Sequence, residues 1–583
     1  MPPEYQSSYD KHPFIPIGPA EDCATGWDQV ADAIAAHTNT GILCVECYPG
    51  VSLDEIEQAL QSHLRPRAII RASDSYKSAA QLDAILHPVL GDDRVFGRMN
   101  SIEISDYFDP ELLAQQQRAI RQIEGLVVVL GTGASLIATE PYTLVYADLA
   151  RWEIQLRWRA GGLANLGLEN YSDTIGNKYK CGYFVEWRAA DRLKQSLLHR
   201  IDFLLDTNVA NSPKLIAGDV FRRALHIAAR RPFRVVPYFD PGPWGGHWME
   251  RVCDLPQDAP NHAWCFDCVP EENSLLLGFG QLRVEIPAID VVFAEARPLL
   301  GEHVYRRFGA EFPIRFDFLD TMGGGNLSLQ VHPLTEYIRD HFGMAYTQDE
   351  SYYVLDADKD ACVYLGLKED ADPDLFLSEL RAAQNGQSSF SADSFVNAWP
   401  ARKHDHFLIP AGTIHCSGKD VMVLEISATP YIFTFKLWDW NRTGLDGLPR
   451  PIHIDRGAAN IQWNRRTNWV RENLIDRVTP LSSGPGWREE STGLHEREFI
   501  ETRRHWFSQT VLHHTEDSVN VLNLVDGAEA IVESPTGAFS PFIVHYAETF
   551  IVPASVGAYT IRPCGKSEGQ ECVTIKASVR QYS

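Results

Sequence analysis

Short, continuous apolar runs that end in glycine turns punctuate the first part of the chain. Gly41-Ile-Leu-Cys-Val45 and Leu126-Val-Val-Val-Leu130 each read as a strand buried on both faces. The stretches Ser52 to Leu64 and Pro110 to Glu124, set around them, carry helical spacing. This alternation predicts an α/β domain with a largely parallel sheet over residues 1–215. Phe221 to Arg231 has helical periodicity with a basic tail and is expected to close that domain, as a linker helix within 216–232. From about 233 the texture changes to short strands broken by Gly and Pro. Phe233–Pro237, Ser274–Gly278 and Leu327–Val331 are examples, and they predict antiparallel β architecture.

A repeat is visible within this β region. Asp405-His-Phe-Leu-Ile-Pro-Ala-Gly412 and Glu548-Thr-Phe-Ile-Val-Pro-Ala-Ser555 share one pattern, 143 residues apart. Two related β-units follow, expected at 233–470, with a small helical insertion near 368–400, and at 471–583. In each, an apolar strand runs into a Pro-x-Gly/Ser turn that marks a strand end at a barrel rim. The fifth residue past the proline is His415 in the first copy and Ala558 in the second. The first unit alone is therefore expected to hold a metal there, and the second to be metal-free.

Length and charge narrow the function classes. A chain of 583 residues is long enough for two or three domains, each with its own core. With 53 Lys plus Arg against 77 Asp plus Glu, the formal charge of −24 argues against nucleic-acid or membrane-surface partners. An anionic ligand must therefore meet a local basic pocket. Eleven scattered cysteines form no disulfide framework, the N-terminus has no signal-like apolar segment, and no apolar run is long enough to span a bilayer. A cytoplasmic protein is expected; nothing in the sequence indicates its oligomeric state.

The candidate chemistry lies in the first β-unit. In the strand Ser328-Leu-Gln-Val-His-Pro333, Gln330 and His332 are two apart and share a face. Glu350 begins a strand eighteen residues on, and His415 enters after the repeat turn. Two imidazoles, a carboxylate and an amide oxygen suit Zn²⁺, or less selectively Fe, Mn, Co or Ni.

These segments resemble the class I mannose-6-phosphate isomerases of the cupin superfamily. The matching stretches are Pro237–Gly246, Ser328–Pro333, Asp349–Ala357, Phe407–His415, Leu424–Ile426 and Thr434–Arg442, in family order over about 233–583. The resemblance implies a double-cupin fold and one zinc per chain, held by Gln330, His332, Glu350 and His415. It makes Glu425 an active-site carboxylate and Lys436 a basic group of the substrate pocket. Arg442 is a further candidate for binding a phosphorylated sugar, with Lys403 and Arg450 as other options. Two positions depart from the family. Gln348-Asp-Glu350 stands where Lys-Thr-Glu is common, and Leu334-Thr335 follows the His-Pro pair. The implied activity is an aldose–ketose isomerase, most simply of mannose 6-phosphate and fructose 6-phosphate. The alternatives are a noncatalytic sugar-phosphate binder and a bifunctional sugar kinase–isomerase.

The N-terminal segment Gly41 to Ser52, followed by a helix, resembles the strand–loop–helix of a P-loop kinase of the uridine-kinase type. It lacks Gly-Lys-Ser/Thr and carries Glu46 and Glu55 nearby, so a degenerate, noncatalytic kinase-like domain is expected. Its turn Tyr48–Val51 would attract anions only weakly. Gly131-Thr-Gly-Ala-Ser135 lacks the third glycine of a dinucleotide loop, and Cys265-Phe-Asp-Cys268 has no second cysteine pair. Tyr146 to Arg159 is expected to start a helix whose basic face is solvated rather than an anion site. The β region, as residues 233–583, is expected to function alone.

Overall fold

A computed structural model describes the chain except for residues 1–6, 140, 430–432, 445–446, 448–449, 496–497 and 582–583. The chain forms two compact units. One comprises Phe14–Ala228 with Pro270–Glu295; the other comprises the residues up to Pro13, Ala229–Val269 and Ala296–Ser583.

The α/β unit is built on a seven-stranded sheet. Gly41–Cys47 runs at its centre, parallel to Leu126–Gly131 on one side and Tyr142–Asp148 on the other. Ala68–Arg71 and Phe203–Asp206 continue the parallel arrangement outward, giving the five strands the order 5-4-1-3-2 when numbered along the chain. Lys214–Ala217 and Cys23–Thr25 complete one edge in antiparallel sense. The central strands are covered on both faces, which is why they read as unbroken apolar runs. Helix Pro110–Ile120 begins where its chemistry directs. The Asp109 carboxylate accepts from the Glu111 and Leu112 amides, and Pro110 occupies the first turn, where its missing N–H costs nothing.

The C-terminal ends of these strands are closed by the unit's own side chains. Buried Glu46 accepts from the amides of Gly133, at 2.5 Å, and Ser135, at 2.8 Å, so the glycine-rich loop after Leu126–Gly131 serves a protein carboxylate. Burial pushes Glu46 up to about 7, against these hydrogen bonds. Gly50, with φ +104°, lies so close to Ile154 that an added Cβ would sit 2.9 Å from it, and Arg157 donates to the Gly50 carbonyl at 2.9 Å. The helix Arg151–Arg159 therefore does not present a solvated basic face. Arg151 is buried against Asp191 at 2.5 Å, and Arg157 is held by Glu153 at 2.8 Å. Lys194 lies fully buried between Asp148 and Asp290.

Three sequence expectations change here. Helix Gly218–Ala228 packs within the α/β unit instead of linking two domains. Phe233–Pro237 is not a strand; Phe233 makes an isolated bridge to Ile551, and regular pairing starts at Tyr238–Asp240. The strand Ser274–Phe279 exists but belongs to the α/β unit, where it lies parallel to Phe14–Gly18 and turns at Gly280, φ +57°, into Leu282–Pro287. The apolar residues that suggested a β-region strand, Leu275, Leu277 and Phe279, are buried in that separate three-stranded sheet.

The β unit contains two sheet pairs. In the first, a six-stranded sheet has the order His406–Ile409, Glu350–Ala357, Val421–Ala428, Ile314–Asp320, Trp264–Cys268, Tyr238–Asp240. Its partner has the order Val396–Pro400, Cys362–Leu367, His415–Ser417, Leu329–Val331, Phe435–Trp438. Helix Pro373–Gln384 lies in the expected insertion. In the second pair, Ile500–Phe507, Cys572–Val579, Asn520–Asp526 and Thr549–Val552 are successive neighbours in one sheet, and Val511–His514 and Ala558–Pro563 are paired in the other. Phe507, Leu522, Phe550 and Cys572 meet Val511, Val532, Tyr559 and Ile561 in its core. Cys265 and Cys268 are buried in strand Trp264–Cys268, and burial raises both thiols well above the usual range, so the pair is core material. Among the described residues no helix is long and apolar enough to cross a membrane.

The excursion of Pro270–Glu295 bears on truncation. A fragment of residues 233–583 carries the hairpin Ser274–Pro287 but lacks its partner strand Phe14–Gly18 and the rest of the α/β unit in which Leu275, Leu277 and Ile286 are buried. Size-exclusion chromatography should find it aggregated or poorly soluble beside the full chain. A monodisperse fragment with a cooperative melt would contradict this.

Candidate active site

The site forms inside the first sheet pair. Gln330 is registered opposite His415 on one neighbouring strand and Lys436 on the other, so three functional side chains stand side by side across three strands. His332 follows Gln330 by two residues, which keeps it on the same face. Glu350 enters from the six-stranded sheet, registered with Ile409 and Ser427. The fold thus gathers all four residues read as metal ligands.

Their geometry calls for a cation. The two oxygens of Glu350 face His332 Nε2 at 3.0 Å and His415 Nε2 at 2.9 Å, and all three residues are buried. On their other edges, His332 Nδ1 lies 3.1 Å from the Phe433 carbonyl and His415 Nδ1 lies 2.9 Å from the Thr413 carbonyl. A carbonyl can only accept, so Nδ1 carries the proton in both rings, and a neutral ring aims a lone pair from Nε2 at the carboxylate. Three acceptors then converge unless a cation lies among them. Backbone carbonyls that fix the tautomer of histidine ligands are a regular feature of metal sites. His332 Nε2 and Glu350 Oε1 are buried without a hydrogen-bond partner, as ligand atoms awaiting a metal would be. The Gln330 amide nitrogen sits 3.2 Å from His415 Nε2; a half-turn of the amide offers its oxygen instead. His332, Glu350 and His415 thus form a candidate metal site whose N/O donor set fits zinc.

Around this set lies a second carboxylate. Gln348 donates to Glu350 at 3.0 Å and to Glu425 at 3.4 Å, linking the two. Burial lifts Glu425 well above the ordinary carboxylate range, the neighbouring Glu350 charge adds to this, and Arg315 opposes it. Burial would raise Glu350 too, yet positive charge on His332 and His415 holds it well below that range, a part that a metal ion would take over beside neutral rings. Two acids a few ångströms apart are thereby separated in protonation, one charged and one neutral.

Lys436 is pulled down to about 7 by burial, with Arg450 and Arg442 adding repulsion. Both arginines are anchored on Asp439 at 2.5 Å, so Arg442 stands in a tethered pair beside Lys436 and makes no hydrogen bond to the metal-binding set among the described residues. Lys403 lies elsewhere, paired with Asp526 at 3.1 Å.

Sequence reasoning missed Arg315 and Asp317. Arg315 Nη2 reaches Glu425 at 2.6 Å and also pairs with Asp317; all three are buried. The signal was present in Ile314-Arg-Phe-Asp-Phe-Leu-Asp320, where charges alternate with large apolar residues in a wholly buried strand.

Replacing His332 or His415 by Ala should lower bound zinc, measured by elemental analysis, from about one equivalent per chain to a small fraction. Glu425→Gln keeps the metal, because Glu425 lies beside the ligand set and not within it. A His415→Ala protein with undiminished zinc would remove that residue from the set.

A family model described as a domain of unknown function (DUF8485) matches residues 26–230. Mannose-6-phosphate isomerase of Streptococcus mutans is 27% identical over 246 residues, covering 41% of this chain and 72% of that protein. Mannose-6-phosphate isomerase ManA of Bacillus subtilis is 24% identical over 237 residues, covering 40% and 68%. The crystal structure of the mannose 6-phosphate isomerase from Bacillus subtilis superposes with a TM-score of 0.48 at 16% identity, covering 60% of this chain and 99% of that one. Over about two fifths of its length the chain is thus similar to mannose-6-phosphate isomerases.

Proposed function

We propose that the first barrel is the active site of a metal-dependent aldose–ketose isomerase acting on a phosphorylated hexose, with mannose 6-phosphate and fructose 6-phosphate as its simplest pair. The observation that carries this reading is the convergence, on one barrel, of a cation-demanding His332–Glu350–His415 set with an acid and an amine both displaced toward neutrality. Interconverting the two sugars moves a proton between C1 and C2 and builds negative charge on the adjacent oxygens. Zinc held by His332, Glu350, His415 and Gln330 would supply Lewis acidity toward those oxygens.

The chain's own groups divide the remaining work. Glu425, kept protonated by burial, can give a proton to a sugar oxygen, and Arg315 stabilises the carboxylate left behind. Lys436, at about 7, is poised to exchange a proton near neutral pH. Arg442 and Arg450, held by Asp439, supply positive charge toward the phosphate end. The α/β unit we read as a noncatalytic domain of P-loop type, in view of its strand order and of Glu46 occupying the glycine-rich loop amides.

One observation favours a second reading, a sugar-phosphate binder without turnover. Gln348, where the family commonly carries lysine, is neutral and links Glu350 to Glu425.

A coupled assay with zinc-loaded full-length protein decides between the two. Conversion of mannose 6-phosphate is expected, and Lys436→Met should lower kcat/KM by roughly 10²–10⁴, the range for a lost proton-transfer group. Tight sugar-phosphate binding with no conversion of any hexose 6-phosphate would establish the binder.

A further inference from the structure

The sequence repeat can be followed strand by strand into the second barrel. In the first, Arg315 and Asp317 are registered with Ser427 and Glu425, Glu350 with Ile409, and Gln330 with His415. In the second, Glu501 and Arg503 are registered with Ser578 and Lys576, Asn520 with Val552, and His514 with Ala558. Ile409 and Val552 are the same residue of the repeat, as are His415 and Ala558. Lys576 therefore stands where Glu425 stands, Arg503 where Asp317 stands, Glu501 where Arg315 stands, and Asn520 where Glu350 stands. Asn520 and Ala558 replace two of the candidate ligands, His514 stands where Gln330 stands, and the signs of charge around them are exchanged, yet the place has not been filled in.

These residues line a cavity of about 220 Å³. The inner face of the barrel changes character toward it. Phe507 and Cys572 belong to the apolar core, and the following pairs on the same face are His505 with Thr574, Arg503 with Lys576, and Glu501 with Ser578. Most of the charges there are already matched. Arg503 is paired with Glu501 at 3.1 Å and Glu489 at 3.2 Å, and His505 with Glu489 at 3.0 Å. Lys576 is the exception: it is 8% exposed, lines the cavity, and its ammonium makes no hydrogen bond or ion pair among the described residues. Burial, with Arg503 adding, pulls it down to about 8. Glu489, Glu516 and Glu501 favour its charge without forming an ion pair with it, and an anion that enters the cavity and contacts the ammonium would relieve the remaining cost of burial.

We propose that the second barrel holds a ligand pocket of its own, at the place equivalent to the metal site, which takes a small hydroxylated molecule bearing one phosphate or carboxylate with Lys576 as its anion-binding group. The lining away from Lys576 is almost entirely polar, with Asn520, Ser578, Gln581 and Glu501 offering both donors and acceptors. Hydroxyl groups satisfy such a surface and an apolar ligand would not. The volume, below the roughly 300–1,000 Å³ of drug-sized sites, limits the occupant to about one monosaccharide. His514 and Glu516 are exposed at the mouth, leaving a way in. This pocket is independent of the isomerase reading of the first barrel.

Titration calorimetry on the full-length, zinc-loaded protein tests it, with glucose 6-phosphate, gluconate and glucose as probes. Wild-type protein should show a binding event for at least one of the two anions, and Lys576→Met should weaken that event at least tenfold while changing isomerase turnover less than twofold. Glucose 6-phosphate and gluconate tell phosphate from carboxylate, and glucose should bind far more weakly than either. Ser578→Trp, which fills the cavity and keeps the lysine, should cause the same loss and decides the matter if Lys576→Met fails to fold. Equal binding in wild type and either folded variant, or no event for either anion in wild type, overturns the proposal.

Discussion

Glu350 lies between two imidazoles whose outer nitrogens are committed to backbone carbonyls, and the first barrel is organised around that constraint. The contacts at 2.9 and 3.0 Å bring lone pairs together unless a positive charge intervenes. Every strand involved is locked by register: Gln330 against His415 and Lys436, Glu350 against Ile409 and Ser427. A slip of one residue in any of these strands would turn a ligand out of the barrel. Glu425 and Arg315 inherit their properties from the same centre, since Glu350 helps to keep Glu425 neutral and Arg315 balances both acids.

The two barrels share one strand frame and differ in the polar side chains set on it. The strands neighbouring the centre, Glu350–Ala357, Val421–Ala428 and Ile314–Asp320, have counterparts in the same order in the second barrel. The backbone frame persists because its core is apolar and its registers are fixed by burial. The polar positions on that frame are free to change sign, and they have done so at Glu425/Lys576 and Asp317/Arg503. The α/β unit follows a different logic. Its strand ends are occupied by internal ion pairs and by Glu46, so groups that a ligand would otherwise contact are already engaged with one another.

Much of this was legible in the sequence, and for identifiable reasons. The buried parallel strands appear as apolar runs because both faces are covered. The candidate metal set could be proposed because Gln330 and His332 obey the strand period and His415 follows a repeated turn. The repeat itself marked Ala558 as the counterpart of His415. Arg315 and Asp317 were overlooked because charged residues in a strand resemble a solvated face until both sides are known to be buried.

What the amino-acid order determined by itself was local: strand and helix periods, the proline turns, and the chemical types at fixed offsets from them. Tertiary structure decided the rest, because those matters depend on which face meets which. Ser274–Phe279 pairs with Phe14–Gly18, far back in the chain, and an apolar strand carries no label for its partner. The protonation of Glu350 and Glu425 differs although both are glutamates at strand positions, because one faces two imidazoles and the other faces a carboxylate and an arginine. Nothing in the local sequence distinguishes Lys576 from a surface lysine. Only the closure of the second barrel shows it to be buried in a cavity, since burial belongs to the folded assembly of strands and not to any one of them.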